Sequence, residues 1–272
     1  MPRRIHRLDV ELTRRGLARS RDHAVSLIAA GRVEVGGVVA RKPASGVGTD
    51  TPVRVRSDDA DPNYASRGGF KLAGALAAFA DVTVAGRRCL DAGASTGGFT
   101  DVLLRAGAAQ VVAVDVGYGQ LAWHLRTDHR VRILDRTNVR ALTADDVGGQ
   151  VSLTVADLSF ISLRLVLPAL TACTGDDGDL VPMVKPQFEV GRDRLGSGGV
   201  VRDPDMRADA VLAVSGAALD LGWGTVGVCV SPLPGPAGNV EFFLWLRRAP
   251  HAPLGSEDIR RIMAEETDLG AQ

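Results

Sequence analysis

The chain has 272 residues, 45% of them hydrophobic, and its 32 basic side chains balance 32 acidic ones. That length carries one sizeable α/β domain plus a small appendage. No stretch approaches the roughly 18 uninterrupted apolar residues of a spanning helix. Cys89, Cys173 and Cys229 are odd in number, apolar in context and without a CxxC pair, which argues against a disulfide frame or zinc site.

The zero net charge hides an asymmetry. Residues 1–60 hold 12 Arg/Lys against 7 Asp/Glu, and residues 61–272 hold 20 against 25. A basic head on an acidic body suggests a polyanion-binding module joined to a catalytic one. Positive charge is almost entirely arginine: the chain has three lysines, Lys42, Lys71 and Lys185. Arginine keeps its proton at any accessible pH whereas a buried lysine can lose it, so the few lysines draw attention. The N-terminus, Met-Pro-Arg-Arg-Ile-His-Arg, has no apolar core of a secretion signal, and with the reduced cysteines this leads us to expect a cytoplasmic protein.

Residues 5–15 place Ile5, Leu8 and Leu12 at helical spacing, with Gly16 as a stop. Ser20 can cap a second helix, 21–30, with Ala24, Val25, Leu27 and Ile28 as its apolar face and Gly31 after it. Residues 32–43 alternate around Gly36-Gly37, a hairpin signal, and a strand at 52–56 precedes the polar stretch Ser57 to Asn63. From residue 68 the pattern alternates. A helix at 70–80 leads, then strands near 88–91, 110–115, 131–134, 151–156, 180–185, 225–231 and 240–247, with helices near 99–106, 119–126, 161–172, 204–221 and 256–266. Such alternation predicts an α/β fold with a mainly parallel, doubly wound sheet whose ligands lie at the carboxyl ends of the strands. The last two strands, with Pro232-Leu-Pro-Gly-Pro between them, read as an antiparallel closure. We expect domains at 1–57 and 67–272, with 58–66 as linker.

The stretch Cys89-Leu-Asp-Ala-Gly-Ala-Ser-Thr-Gly-Gly-Phe99 reads as a strand ending at Asp91, a glycine-rich turn and a helix start. Gly93, Gly97 and Gly98 allow backbone to approach a ligand, and the helix start offers unpaired N–H groups. A second strand ends at Asp115, 22 residues past Gly93, where a carboxylate can bond a ribose hydroxyl pair. The turn departs from Gly-x-Gly-x-x-Gly and resembles the nucleoside-binding turn of S-adenosylmethionine-dependent methyltransferases.

Four ionisable residues fall at strand ends or just before the sheet: Lys71, Asp157, Lys185 and Glu241. Two amines and two carboxylates at one sheet edge suit methylation of a hydroxyl. A ribose 2′-OH must lose its proton as it attacks a methylsulfonium, and a lysine whose ammonium form is disfavoured by a neighbouring cation and partial burial can take it. Lys185 is the candidate base, Lys71 the neighbouring cation and substrate contact, and Asp157 and Glu241 the groups that orient the amines. The competing reading makes these ordinary surface ion pairs. Ala156-Asp-Leu-Ser-Phe160 lacks the Pro-Pro-aromatic run of exocyclic-amine methylases, and no cysteine is placed to attack a cytosine ring. Among the aromatics, Phe99 and Phe160 flank the cofactor turn, whereas Trp123, Phe242, Phe243 and Trp245 are expected to pack on the sheet. No metal is expected at His23, His124 or His129.

Two family resemblances follow from these segments. Residues 3–56, through Arg-Leu-Asp, Gly-Leu-Ala-Arg-Ser-Arg and Ala-Gly-Arg-Val-Glu-Val-Gly-Gly, resemble the S4 RNA-binding domain. This makes Arg3, Arg4, Arg15, Arg19, Arg21 and Arg32 candidate phosphate contacts; a small adaptor for protein contacts is the alternative. Tyr64-Ala-Ser-Arg-Gly-Gly-Phe-Lys-Leu, the Asp91 turn, Val116-Gly-Tyr-Gly-Gln-Leu, Asp135-Arg-Thr-Asn, Ala156-Asp-Leu-Ser-Phe, Val184-Lys-Pro-Gln-Phe-Glu and Gly238-Asn-Val-Glu-Phe resemble the TlyA, or haemolysin-A-like, family over nearly the whole chain. The resemblance implies an S4 domain joined to an FtsJ-like, Rossmann-like methyltransferase domain with a seven-stranded sheet. It implies 2′-O-methylation of cytidines in 16S and 23S ribosomal RNA of the 30S and 50S particles, which confers sensitivity to capreomycin-type antibiotics. It also implies a Lys71-Asp157-Lys185-Glu241 tetrad and an S-adenosylmethionine pocket lined by Asp91, Gly93, Ser95, Thr96, Gly97, Gly98, Phe99, Asp115, Asn138, Asp157 and Ser159. We expect a monomer. The alternatives are a membrane-active haemolysin and a non-catalytic ribosome-assembly factor.

Overall fold

A computed structural model of the chain describes residues 5–18, 21–56, 62–191, 195–249 and 252–269. It divides into two compact units, Met1–Asn63 and Tyr64–Gln272. Arg3, Arg4, Arg19, the capping Ser20, Ser57 and residues 58–61 of the expected linker lie outside the described residues.

The first unit runs β1 (Ile5–Arg7), α1 (Leu8–Arg14), α2 (Arg21–Ala29), β2 (Val33–Val35), β3 (Val38–Val39), β4 (Gly46–Gly48) and β5 (Val53–Val55). The first helix starts three residues later than its periodicity predicts, because Ile5–Arg7 pairs antiparallel with β4. A Cβ on Gly46 would lie 2.8 Å from the Ile5 side chain, so this pairing uses glycine. Ile5 and Val25 are exposed, and the core is Leu8, Leu12, Ala24, Leu27, Ile28, Val33 and Val47. Gly36 and Gly37, both at positive φ, close the β2–β3 hairpin, and β5 flanks β2 on its other side.

The second unit opens with α3 (Gly68–Ala78). It continues β6 (Arg88–Ala92), α4 (Gly98–Arg105), β7 (Gln110–Val114), α5 (Trp123–Arg126), β8 (Val131–Leu134), α6 (Ala144–Val147) and β9 (Val151–Ala156). Then come α7 (Leu167–Cys173), β10 (Thr174–Val184), α8 (Pro186–Glu189), α9 (Pro204–Asp220), β11 (Trp223–Val230), β12 (Phe242–Arg248) and α10 (Ser256–Leu269). The sheet order is β11-β12-β10-β9-β6-β7-β8, parallel except where β12 pairs antiparallel with β10 and β11. The fold is thus a mostly parallel seven-stranded sheet with an antiparallel closure.

Strand period sorts the core into two layers. Leu90, Ala92, Val112 and Val114 face one layer with α7 and α9 residues; Cys89, Val111 and Ala113 face the other with Leu72, Phe99 and Leu103. Phe242 and Phe243 are fully buried, and Trp245 is partly buried with its Nε1 donating to Asp179 Oδ1 at 2.8 Å. Trp123 departs from expectation: it is 77% exposed, because the helix expected at 119–126 is a single turn that buries Leu125 instead.

Candidate active site

The chain leaves β6 in the direction of β7 and β8, then returns to place β9 on β6's other side. Ligand crevices form at such a reversal, at the strands' carboxyl ends. Here Asp157 N–H donates to Ala92 O at 3.0 Å and Gly93 N–H to Val114 O at 2.8 Å. A Cβ on Gly93, at φ +89°, would stand 2.4 Å from Asp157 O. Glycine is required for the two strand ends to come this close.

A cavity of about 540 Å3 opens there, with Asp115 and Asn138 on one side and Val116, Val139, Leu158, Ile161 and Val166 as apolar walls. Asp115 is held by two backbone donors, Ser95 N–H at 2.8 Å and Gly117 N–H at 2.7 Å, one on each carboxylate oxygen. Asn138 Oδ1 caps a single 3-10 turn by accepting from Arg140 N–H at 3.0 Å. A carboxylate beside an apolar slot suits a nucleoside's ribose and base, and the volume lies within the ~300–1,000 Å3 of small-molecule sites. The residues present therefore fit S-adenosylmethionine.

A second cavity, of about 350 Å3, adjoins the first and holds Lys71, Asp157, Lys185 and Glu241 together. The two share Gly93, Ser95, Asp157 and Ser159 as common wall. The sheet explains the meeting. Val184 of β10 pairs with Phe242 of β12, so Lys185 and Glu241 leave the same sheet edge on adjacent strands. Asp157 follows β9, the other neighbour of β10. Lys71 comes from the first turns of α3 and pairs with Glu241, both nearly buried. Lys185 Nζ donates to Asp157 Oδ1 at 2.6 Å and to Ser159 Oγ at 3.0 Å.

Of the other residues singled out from the sequence, Thr96, Gly98 and Phe99 line the second cavity and Phe160 the first. Gly97 and Asp91 line neither. Gly97 precedes α4 at φ +97°, where a Cβ would strike Leu125 at 2.2 Å. Asp91 is fully buried; its Oδ2 accepts from Thr100 Oγ1 at 2.6 Å while Oδ1 has no partner. Burial pushes its carboxyl up to about 7, against the Thr100 hydrogen bond. Phe160 is 92% exposed, at φ +64°, with its ring 5.4 Å from that of Phe188.

Strand-end reasoning did not reach several lining residues. Ser66 and Arg67 enter ahead of α3 and Gly68 opens it, and Pro234 and Pro236 come from the β11–β12 loop. Residues 64–66, read from sequence as linker, pack into this unit: Ala65 N–H donates to Asp101 Oδ2 at 2.8 Å, and a Cβ on Gly98 would lie 2.2 Å from Ser66 Oγ. The signal was the Ser-Arg-Gly-Gly run, whose glycines mark close backbone approach.

In the first unit Arg15 is not available as a phosphate contact. Its guanidinium pairs with Glu11 at 2.6 Å and donates to the carbonyls of Gly48, Thr49 and Thr51. Arg21 is exposed and donates to Asp9 Oδ2 at 3.0 Å, and Arg32 Nε donates to Arg56 O at 3.2 Å.

The chain is similar to known proteins along most of its length. Residues 64–248 match the FtsJ-like methyltransferase model and residues 6–53 the S4 domain model. A Mycobacterium tuberculosis protein named 16S/23S rRNA (cytidine-2′-O)-methyltransferase TlyA is 63% identical, with 89% of each chain covered. Hemolysin A of Brachyspira hyodysenteriae is 35% identical over 87% of this chain and 97% of its own. A solved hemolysin-like structure from Streptococcus thermophilus superposes with a TM-score of 0.76 at 38% identity, covering 98% of this chain and 97% of that one.

Proposed function

Since the chain belongs to the TlyA family of FtsJ-like methyltransferases with an S4 domain, we propose that it methylates the ribose 2′-hydroxyl of cytidines in ribosomal RNA, using S-adenosylmethionine. The observation that carries this reading is the adjacency of the two cavities: two lysine–carboxylate pairs line a chamber that shares a wall with the nucleoside-shaped one.

When bound, S-adenosylmethionine supplies an electrophilic methyl on a sulfonium. Asp115 would take the ribose diol, and Val116, Leu158 and Ile161 would enclose the base. Asp157 and Ser159 accept two hydrogens from Lys185 Nζ. Held in this way as a neutral amine, Lys185 would keep its remaining tetrahedral position for a lone pair able to take the 2′-OH proton, and would then carry the positive charge that the sulfonium gives up with its methyl. Lys71, held by Glu241 in the same chamber, would contact the ribose or its phosphate. Holding donor and acceptor in attack geometry supplies the larger share of the rate.

The S4 domain at residues 6–53, with the residues just before it, would bring the phosphate contacts, through Arg21 and Arg32 and through Arg3, Arg4 and Arg19. Tritiated-methyl transfer to isolated 30S and 50S particles, followed by mapping of ribose methylation, tests the whole reading. Label at cytidine 2′-oxygens is expected. Tight particle binding with no transfer would mark an assembly factor instead, and lysis of red cells that survives a change at Lys185 would mark a haemolysin.

A further inference from the structure

Glu189 is a buried carboxylate that the chemistry above leaves without a task. It is the last residue of α8, the helix that Lys185 immediately precedes, and its side chain is 1% exposed. Its Oε1 accepts from Leu163 N–H at 2.7 Å, its Oε2 accepts from the Ser162 hydroxyl at 2.5 Å, and Arg164 Nε lies 3.5 Å from Oε2. Ser162 in turn caps the 3-10 turn Leu163–Leu165. Ser162 and Leu163 lie on the same segment as Asp157 and Ser159, the two acceptors of Lys185. The segments after β9 and β10 are therefore tied by polar contacts at two points, once through Lys185 and once through Glu189, with the Phe160–Phe188 ring contact beside them.

The second tie is rigid. Pro186 opens α8, and Phe188 N–H to Lys185 O at 2.9 Å and Val190 N–H to Pro186 O at 3.1 Å make it one closed turn. An ion pair between two loops holds its geometry only as well as the loops are held, and a shift of about 1 Å can cost ~100-fold in rate.

We propose that Glu189 is a positioning residue that fixes Lys185 Nζ against Asp157 and Ser159. This rests on the reading of Lys185 as the base. Glu189→Gln keeps the shape and one acceptor while placing an amide donor against Ser162 and Arg164. The scarcity of lysine gives a direct probe: in protein labelled with 13C at lysine Cε, three resonances report Lys42, Lys71 and Lys185. In full-length Glu189→Gln the Lys185 resonance is expected to move while Lys42 and Lys71 stay. In the same variant kcat for methyl transfer should fall roughly tenfold or more with KM for S-adenosylmethionine within about twofold. Ser162→Ala, which keeps the carboxylate, should give a smaller change in the same direction. A stationary Lys185 resonance in both variants would overturn the proposal, as would equal movement of all three lysines accompanied by a lowered unfolding midpoint. A wild-type protein that methylates no 2′-hydroxyl would instead remove Lys185's role as base, whatever the resonance shows of Glu189.

Discussion

Lys185 is one of three lysines in a chain that otherwise uses arginine, and it meets two acceptors inside a cavity wall. Lys185→Ala is expected to lower methyl transfer by about 100-fold or more, with S-adenosylmethionine affinity by calorimetry within about threefold of wild type; near-normal turnover would remove Lys185 as base. Asp91 makes a different prediction. Its carboxyl is pushed up to about 7 by burial, so the fold holds a proton that the unfolded chain has released. Stability from this group is therefore full at low pH and declines as pH rises from about 4 to about 7, each pKa unit corresponding to ~1.4 kcal/mol. Asp91→Asn should flatten that decline, and parallel urea-unfolding profiles for the two proteins between pH 4 and 8 would count against it.

Elements that bury a continuous apolar run were legible. β7, β9, β12 and the 180–184 end of β10 read as largely apolar stretches bounded by a polar residue, and those residues are Asp115, Asp157, Lys185 and, at the near end of β12, Glu241; the polar first half of β10, from Thr174, was not legible. Elements made by distant pairing were not. Gly46–Gly48 carries no strand signal of its own and is extended because Ile5–Arg7 lies beside it. Likewise α8 is one turn, set by Pro186 and closed by a bond that periodicity does not reveal. Trp123 was misread because a large aromatic suggests a core, whereas the turn it begins buries Leu125. Two substitutions test element-level claims. Gly93→Ala should disable S-adenosylmethionine binding and lower stability, since its Cβ would meet Asp157 O at 2.4 Å and its φ is +89°; unchanged affinity would contradict the close approach. Arg15→Ala removes one of two cations on buried Glu11, a carboxyl held down to about 2 by Arg14 and Arg15. The loss should be roughly 2–4 kcal/mol, seen as faster amide exchange in α1 and β4, because Arg15 also braces the carbonyls of residues 48, 49 and 51.

Across the whole chain, charge divides the labour: a basic first 60 residues and an acidic remainder. Phosphate contacts release counterions, so the logarithm of particle affinity should fall linearly with log salt, with a slope of about 0.7–0.9 per contact. S-adenosylmethionine affinity should hardly change over the same range. A shared salt dependence would mean that the two binding events are not separable in this way. The chamber itself draws on five segments far apart in sequence, brought together at one edge of the sheet, and this is why no local window displays it.

The insertion of β12 between β10 and β11 has a consequence in time. Lys71 waits 170 residues for its partner Glu241, which stands directly before the last strand of the sheet in chain order. A polypeptide still short of this strand carries Lys71, Asp157 and Lys185 without Glu241, so the four-residue cluster is completed only by the final strand of the chain.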